Sequence, residues 1–269
     1  MKLYYQALIV AVLFVAAGCQ SEAPAPGQPP AETKAAAPDL DPVIGRAILA
    51  NPIRTQEARD RDPRSKPEAV LRLLDLKPGD HAIDFFGGSG YYTDLMAAMA
   101  GEEGEIILHN NSPFHTFVEE KVQPRYVDNQ IPGIRYLKSE VDDLQLEPES
   151  LDAALIVMAY HDLYYYNPGI GFGDIDVPLF FSQVHAALKP RGRLVIVDHS
   201  AVPGTGKKAA QQLHRIDEEF AIQDIESNGF RLVAKSDALR NPDDDRRKIV
   251  FDAEFRGKTD RFILLFEKN

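Results

Sequence analysis

From Pro67 onward the chain alternates between two hydrophobic rhythms. Short apolar runs predict strands over 81–86, 105–109, 134–138, 151–160, 193–198, 230–235 and 261–267. Between them, apolar positions recur at helical spacing and predict helices over 93–100, 114–121, 177–188 and 207–227. An earlier helix starts at Pro67, buries Val70, Leu71, Leu73 and Leu74, and stops at Lys77-Pro78-Gly79-Asp80. The clearest helix is 207–227, with Ala209, Leu213, Ile216 and Phe220 on one face, Thr205 as its cap and Gly229 just past its end. Residues 39–66 read as a helix fragment plus coil. Strands that alternate with helices in this way predict a mostly parallel sheet covered on both faces.

In such a sheet ligands bind outside the carboxyl ends of the strands. The first strand ends in Asp84 and a glycine turn, Gly87-Gly88-Ser89-Gly90, that opens a helix. Glycines let backbone approach a ligand where a Cβ would collide, and the helix start offers unpaired N–H groups. The second strand ends in His109-Asn110-Asn111, the fourth in Tyr160-His161-Asp162 and the fifth in Asp198-His199-Ser200. Three of the seven histidines therefore fall at strand ends.

The first residues follow another pattern. Lys2 precedes an apolar run over 7–17, too short to span a bilayer, and the run ends in Ala16-Ala17-Gly18-Cys19. That ending resembles the lipobox of bacterial lipoproteins. It implies removal of residues 1–18 and acylation of Cys19, the chain's one cysteine, so no disulfide is expected. Residues 20–38 are a Pro/Ala tether unable to build a core, leaving 41–269 as one α/β domain. Uncharged Gln20 implies, by the Gram-negative sorting scheme, the periplasmic face of the outer membrane. The formal net charge of −11 argues against nucleic acid as a partner.

Over nearly all of 67–269 the order of elements resembles the class I S-adenosylmethionine-dependent methyltransferases. The resemblance rests on the turn that follows Asp84, the Leu151-Asp152-Ala153-Ala154-Leu155-Ile156 strand, the Leu188-Lys189-Pro190-Arg191-Gly192-Arg193-Leu194 run and two final strands after a long helix. More narrowly, Tyr160-His161-Asp162-Leu163, Asp198-His199-Ser200 and the run from Arg256 to Arg261 resemble an uncharacterised group of predicted methyltransferases. The family implies a Rossmann-like fold of seven strands, mostly parallel with the last antiparallel, and S-adenosylmethionine as cofactor. Asp84 would hold the methionine amino group, Gly88, Ser89 and Gly90 would lie along the cofactor, and Asp142 would meet the adenine. The family's ribose-binding acid is replaced by His109 and Asn110, and Phe86 stands where the family has its first glycine.

Methyl transfer to a hydroxyl or amine needs a base. His161 is the first candidate, oriented by Asp162 or Asp198, with His199 alongside. The same four residues, His161, His199, Asp162 and Asp198, are alternatively nitrogen and oxygen ligands for a metal at adjacent strand ends. The expected substrate is a small molecule or exported compound. Two other readings remain: a lipoprotein keeping the fold as a ligand-binding module, and a nicotinamide-dependent oxidoreductase, against which the missing third glycine counts.

Overall fold

The computed structural model describes residues 40–269; the proposed signal, Cys19 and the tether up to residue 39 lie outside the described residues. In chain order the elements are α1 (Pro42–Gly45, continued by a wider turn, Arg46–Ala50), α2 (Gln56–Ser65), α3 (Pro67–Leu74), β1 (His81–Phe85), α4 (Tyr91–Ala100), β2 (Glu105–Asn110), α5 (Ser112–Val122), β3 (Ile134–Lys138), β4 (Leu151–Val157), α6 (Val177–Ala187), β5 (Leu188–His199), α7 (Lys208–Leu213), α8 (Glu218–Ser227), β6 (Phe230–Ser236) and β7 (Arg261–Lys268). They build one seven-stranded sheet in the order β3-β2-β1-β4-β5-β7-β6. The pairings among β1 to β5 are parallel, and β7 runs antiparallel between β5 and β6. After β3 the chain returns across β1 to β4, so the crevice at the carboxyl ends of β1 and β4 is the topological switch point.

Successive side chains on a strand face opposite sides of the sheet. Ile83, Ala154, Ile156, Leu194 and Ile196 therefore meet α6 and α8 on one face, through Phe180, Phe181, Ile222 and Ile225. Ala82, Leu155, Val195 and Val197 meet α1, α3 and α4 on the other, through Ile48, Leu71, Leu74 and Leu95. Apolar residues on both faces explain why the strands read as continuous runs. Among the described residues no helix is long and apolar enough to cross a membrane.

Two sequence expectations change. The single helix over 207–227 is two helices, because His214 adopts a left-handed backbone (φ 52°) after α7. The cause is tertiary: Arg215 is fully buried and donates to both Asp244 oxygens (2.8 and 3.1 Å) and to the Ser200 carbonyl. Ile216 N bonds the His199 carbonyl (2.9 Å), which ties the break to the end of β5. Thr205 turns back to the Val202 carbonyl, and the Asp217 carboxylate caps α8 instead.

Within 39–66, read as a helix fragment plus coil, residues 56–65 form the full helix α2 despite Pro63. Asp62 on that helix accepts from the Arg54 guanidinium (2.5 and 3.0 Å) and from the Tyr91 hydroxyl (2.6 Å), so contacts outside the helix outweigh proline's interruption.

Candidate active site

The turn after β1 is held from both sides. Phe86 and Gly88 have positive φ (52° and 59°), and Gly90 (φ 86°) leads into α4. A Cβ on Gly87 would stand 2.6 Å from an Asp84 carboxylate oxygen, whereas nothing lies within 4 Å of one on Gly88. Gly87 is therefore required for packing, and Gly88 faces open space. The Asn110 side chain accepts from Gly88 N (3.0 Å) and donates to Gly88 O (2.9 Å), standing in for a neighbouring strand. Its oxygen and one amide hydrogen are thus engaged by the turn.

Asp84 is buried and accepts from the Thr93 hydroxyl (2.7 Å). Burial raises its pKa to about 6, a rise limited by the hydrogen bonds from Thr93. His109 is fully buried against Phe85 and Phe86, with Nε2 3.1 Å from the Ser139 carbonyl and Nδ1 unpartnered. Burial depresses its pKa to about 4, opposed by the bond to Ser139. The ring of Phe86 packs between Phe114 and Phe180. Asp142 lies exposed in the turn after β3, while Glu140, two residues earlier, accepts from Ser112 N (3.2 Å) at the start of α5.

At the ends of β4 and β5 the sequence-predicted residues come together. Asp198, with no exposed surface, accepts from His161 N and His199 N (both 2.7 Å) and from His161 Nδ1 (2.8 Å). Burial would lower the His161 pKa, but Asp162 and Asp198 overcome it and raise it to about 9. His199 pairs through Nδ1 with the Thr259 hydroxyl (2.6 Å). Its burial, beside the charge on His161, holds its pKa well below the usual histidine value. The loop that follows His161 is fastened to α8: the Tyr160 and Tyr164 hydroxyls both donate to Asp224 (2.6 Å each).

A cavity of about 770 Å³ opens beside these strand ends. Ser89, Tyr91, Met158, His199 and Thr259 line it on the sheet side. Arg61, Arg64, Lys121, Arg125, Arg256 and Arg261 line it as well. Lys121 pairs with Glu57 and Arg125 with Asp94. Among the described residues no carboxylate comes within ion-pair distance of Arg61, Arg64, Arg256 or Arg261. Arg261 is only 7 % exposed, and its Nε lacks any partner. In a chain of net charge −11 this is a concentrated positive surface.

Sequence reading missed two parts of the cavity, the α2 arginines and Met158, and it missed His214, whose Nδ1 lies 3.4 Å from Asp162, by placing it inside a continuous helix. Glu57 with Arg61 and Asp60 with Arg64 were the available signal, since opposite charges four residues apart are common on a helix.

The strand order with its antiparallel seventh strand defines the Rossmann-like methyltransferase fold. The chain is 18% identical to a SAM dependent methyltransferase from Aquifex aeolicus, over 78% of this chain and 99% of that one, with a TM-score of 0.52. It is 16% identical to an S-adenosylmethionine dependent methyltransferase from Mesorhizobium loti, over 76% and 98% of the two chains, with a TM-score of 0.53. Among characterised sequences it is 22% identical over 174 residues to the ubiquinone/menaquinone biosynthesis C-methyltransferase UbiE of Teredinibacter turnerae. That match covers 62% of this chain and 63% of the relative, so the chain spans less than two thirds of that enzyme. No family model matches.

Proposed function

We propose that the chain is an S-adenosylmethionine-dependent methyltransferase acting on an anionic small molecule. The observation that carries this reading is a glycine turn at the switch point of the methyltransferase sheet, opening at Ser89 onto a cavity that ends at His199. Likeness to the methyltransferases named above supports it.

The residues present fit the cofactor. Gly88 leaves open space above the turn, and a cavity of about 770 Å³ lies within the range of small-molecule sites. S-adenosylmethionine, when bound, supplies an electrophilic methyl group. Ser89 and the N–H groups opening α4 are placed to hold its polar end, with Met158 as an apolar wall. Asp84 positions the turn through Thr93. With the Asn110 oxygen engaged by Gly88, Glu140 and Ser112 are the polar groups left near the second strand end.

Arg256 and Arg261 border the cavity beside His199 and Thr259, which suits a carboxylate or phosphate on the acceptor. His199 is the residue placed to take the acceptor's proton: Thr259 engages Nδ1 and leaves Nε2 without a protein partner in the cavity wall. His161 does not line the cavity and is a positioning residue for the strand ends.

Incubation with methyl-labelled S-adenosylmethionine and a cell-envelope extract tests the proposal. Label is expected in a small product retained on anion exchange, and lost with Arg256→Gln and with His199→Gln. Binding of a small molecule without any label transfer supports the second reading, a binding module, which the absence of a ribose-binding acid after β2 favours.

The cofactor's charge bars it from crossing a bilayer unaided, so the place of action matters. The Ala17-Gly18-Cys19 motif supports a lipid anchor on the envelope, and uncharged Gln20 supports the periplasmic face of the outer membrane as its destination. Labelled palmitate is expected to enter the full chain and not the Cys19→Ser variant.

A further inference from the structure

Behind His199 and Phe251, three groups from two separate elements converge without hydrogen bonding to one another. His161 and Asp162 sit on the short turn after β4, and His214 at the break between α7 and α8. His161 Nε2 lies 3.3 Å from Asp162 Oδ1, and His214 Nδ1 lies 3.4 Å from the same oxygen. All three atoms fall within 4.8 Å of one another.

His161 donates through Nδ1 to Asp198, so in the neutral ring Nε2 presents its lone pair to a carboxylate oxygen. His214 Nδ1 faces the same oxygen. A ring proton joins one nitrogen to Asp162 at a time, whereas a metal ion bonds all three atoms together.

We propose that His161 Nε2, Asp162 Oδ1 and His214 Nδ1 are the ligands of a divalent transition-metal ion, with zinc the best-fitting one. Five observations support the assignment. Zinc bonds of about 2.0–2.2 Å in tetrahedral geometry separate neighbouring ligand atoms by about 3.3–3.5 Å, the spacing found on either side of Asp162. Asp198 gripping His161 Nδ1 forms the carboxylate–histidine pair that fixes a metal-binding imidazole. His214 reaches the cluster only through a left-handed backbone, a conformation that disfavours any residue but glycine. Its ring is flanked by Tyr165 (4.4 Å) and Phe251 (5.0 Å), which shield one side from water. Two nitrogens and one oxygen suit an ion of borderline softness and leave a coordination position for water.

The test uses the full chain made without a histidine tag and carrying Cys19→Ser, stripped of metal with a chelator. Added Co²⁺ is expected to develop the intense visible bands of four- or five-coordination. Calorimetric titration with Zn²⁺ should give one site per chain. His214→Ala, at a half-buried position, should weaken it at least 100-fold, and Asp198→Asn about 10–100-fold. The exposed His81→Ala should leave it unchanged. Co²⁺ that keeps the pale octahedral spectrum overturns the proposal, as does Zn²⁺ that binds wild type and His214→Ala alike. Neither measurement requires S-adenosylmethionine, so the metal site and the methyltransferase reading fail separately.

Discussion

The ends of β1 and β2 and the ends of β4 and β5 lie side by side, yet they spend their polar groups in opposite ways. On the first side the groups face inward: Asp84 meets Thr93, Asn110 meets Gly88, and His109 meets the Ser139 carbonyl. These bonds rigidify a turn whose open face is backbone. On the second side Asp198 gathers one histidine through its ring and another through its backbone, and His161, Asp162 and His214 converge with no hydrogen bond joining them. The first side is a preformed cradle, and the second keeps side-chain chemistry available.

The sharpest break of this comparison comes from Arg215, which anchors the chain between α7 and α8. Arg215→Ala leaves Asp244 buried and unpaired and should cost about 3–5 kcal/mol. Thermal unfolding should register a fall of about 10 °C for a domain of this size.

Acid probes the first side next, where two buried groups respond in opposite directions. His109 is held to a pKa of about 4 against 6.5 when unfolded, so the unfolded chain binds more protons between those values. Stability from this group is present above pH 6.5 and is lost as pH falls towards 4, at most about 3 kcal/mol. Asp84 works the other way: its pKa of about 6 lies above 3.8, so the folded state takes up the proton and gains as pH falls through 6. Denaturant melts between pH 7 and 4 should therefore show a steeper acid loss in Asp84→Asn than in wild type.

Asn110→Asp gives a smaller and more discriminating effect. A carboxylate there faces the Gly88 carbonyl in place of donating to it, so about 1–3 kcal/mol of stability should be lost. Cofactor affinity should fall with it. A gain in affinity would instead mark this position as a ribose site.

Gly88→Ala has room for its methyl group and meets only the strain of positive φ, about 1 kcal/mol. Its main effect should be on binding, because the methyl enters the space over the turn; tenfold weaker cofactor binding with a nearly unchanged melt is the expected pair of results.

The strands and the glycine turn were legible in the sequence because their causes are local: apolar runs for buried strands, glycines where backbone packs on Asp84. Cluster residues at the ends of β4 and β5 were legible too, since strand ends in a parallel sheet share one edge. His214 was not, because its break depends on Arg215 reaching Asp244, 29 residues away. Nor was the engagement of Asn110, since its residue type suits a ribose hydroxyl as well as a peptide group. The α2 arginines join the cavity only through the pairing of Asp62 with Arg54 and Tyr91, which no periodicity reveals.

Calorimetric titration of the full chain with S-adenosylmethionine and with its demethylated product tests the central reading most directly. Saturable one-to-one binding, weakened by Gly88→Ala and untouched by His81→Ala, is the expected result. Absence of heat with either compound up to millimolar concentration would contradict it.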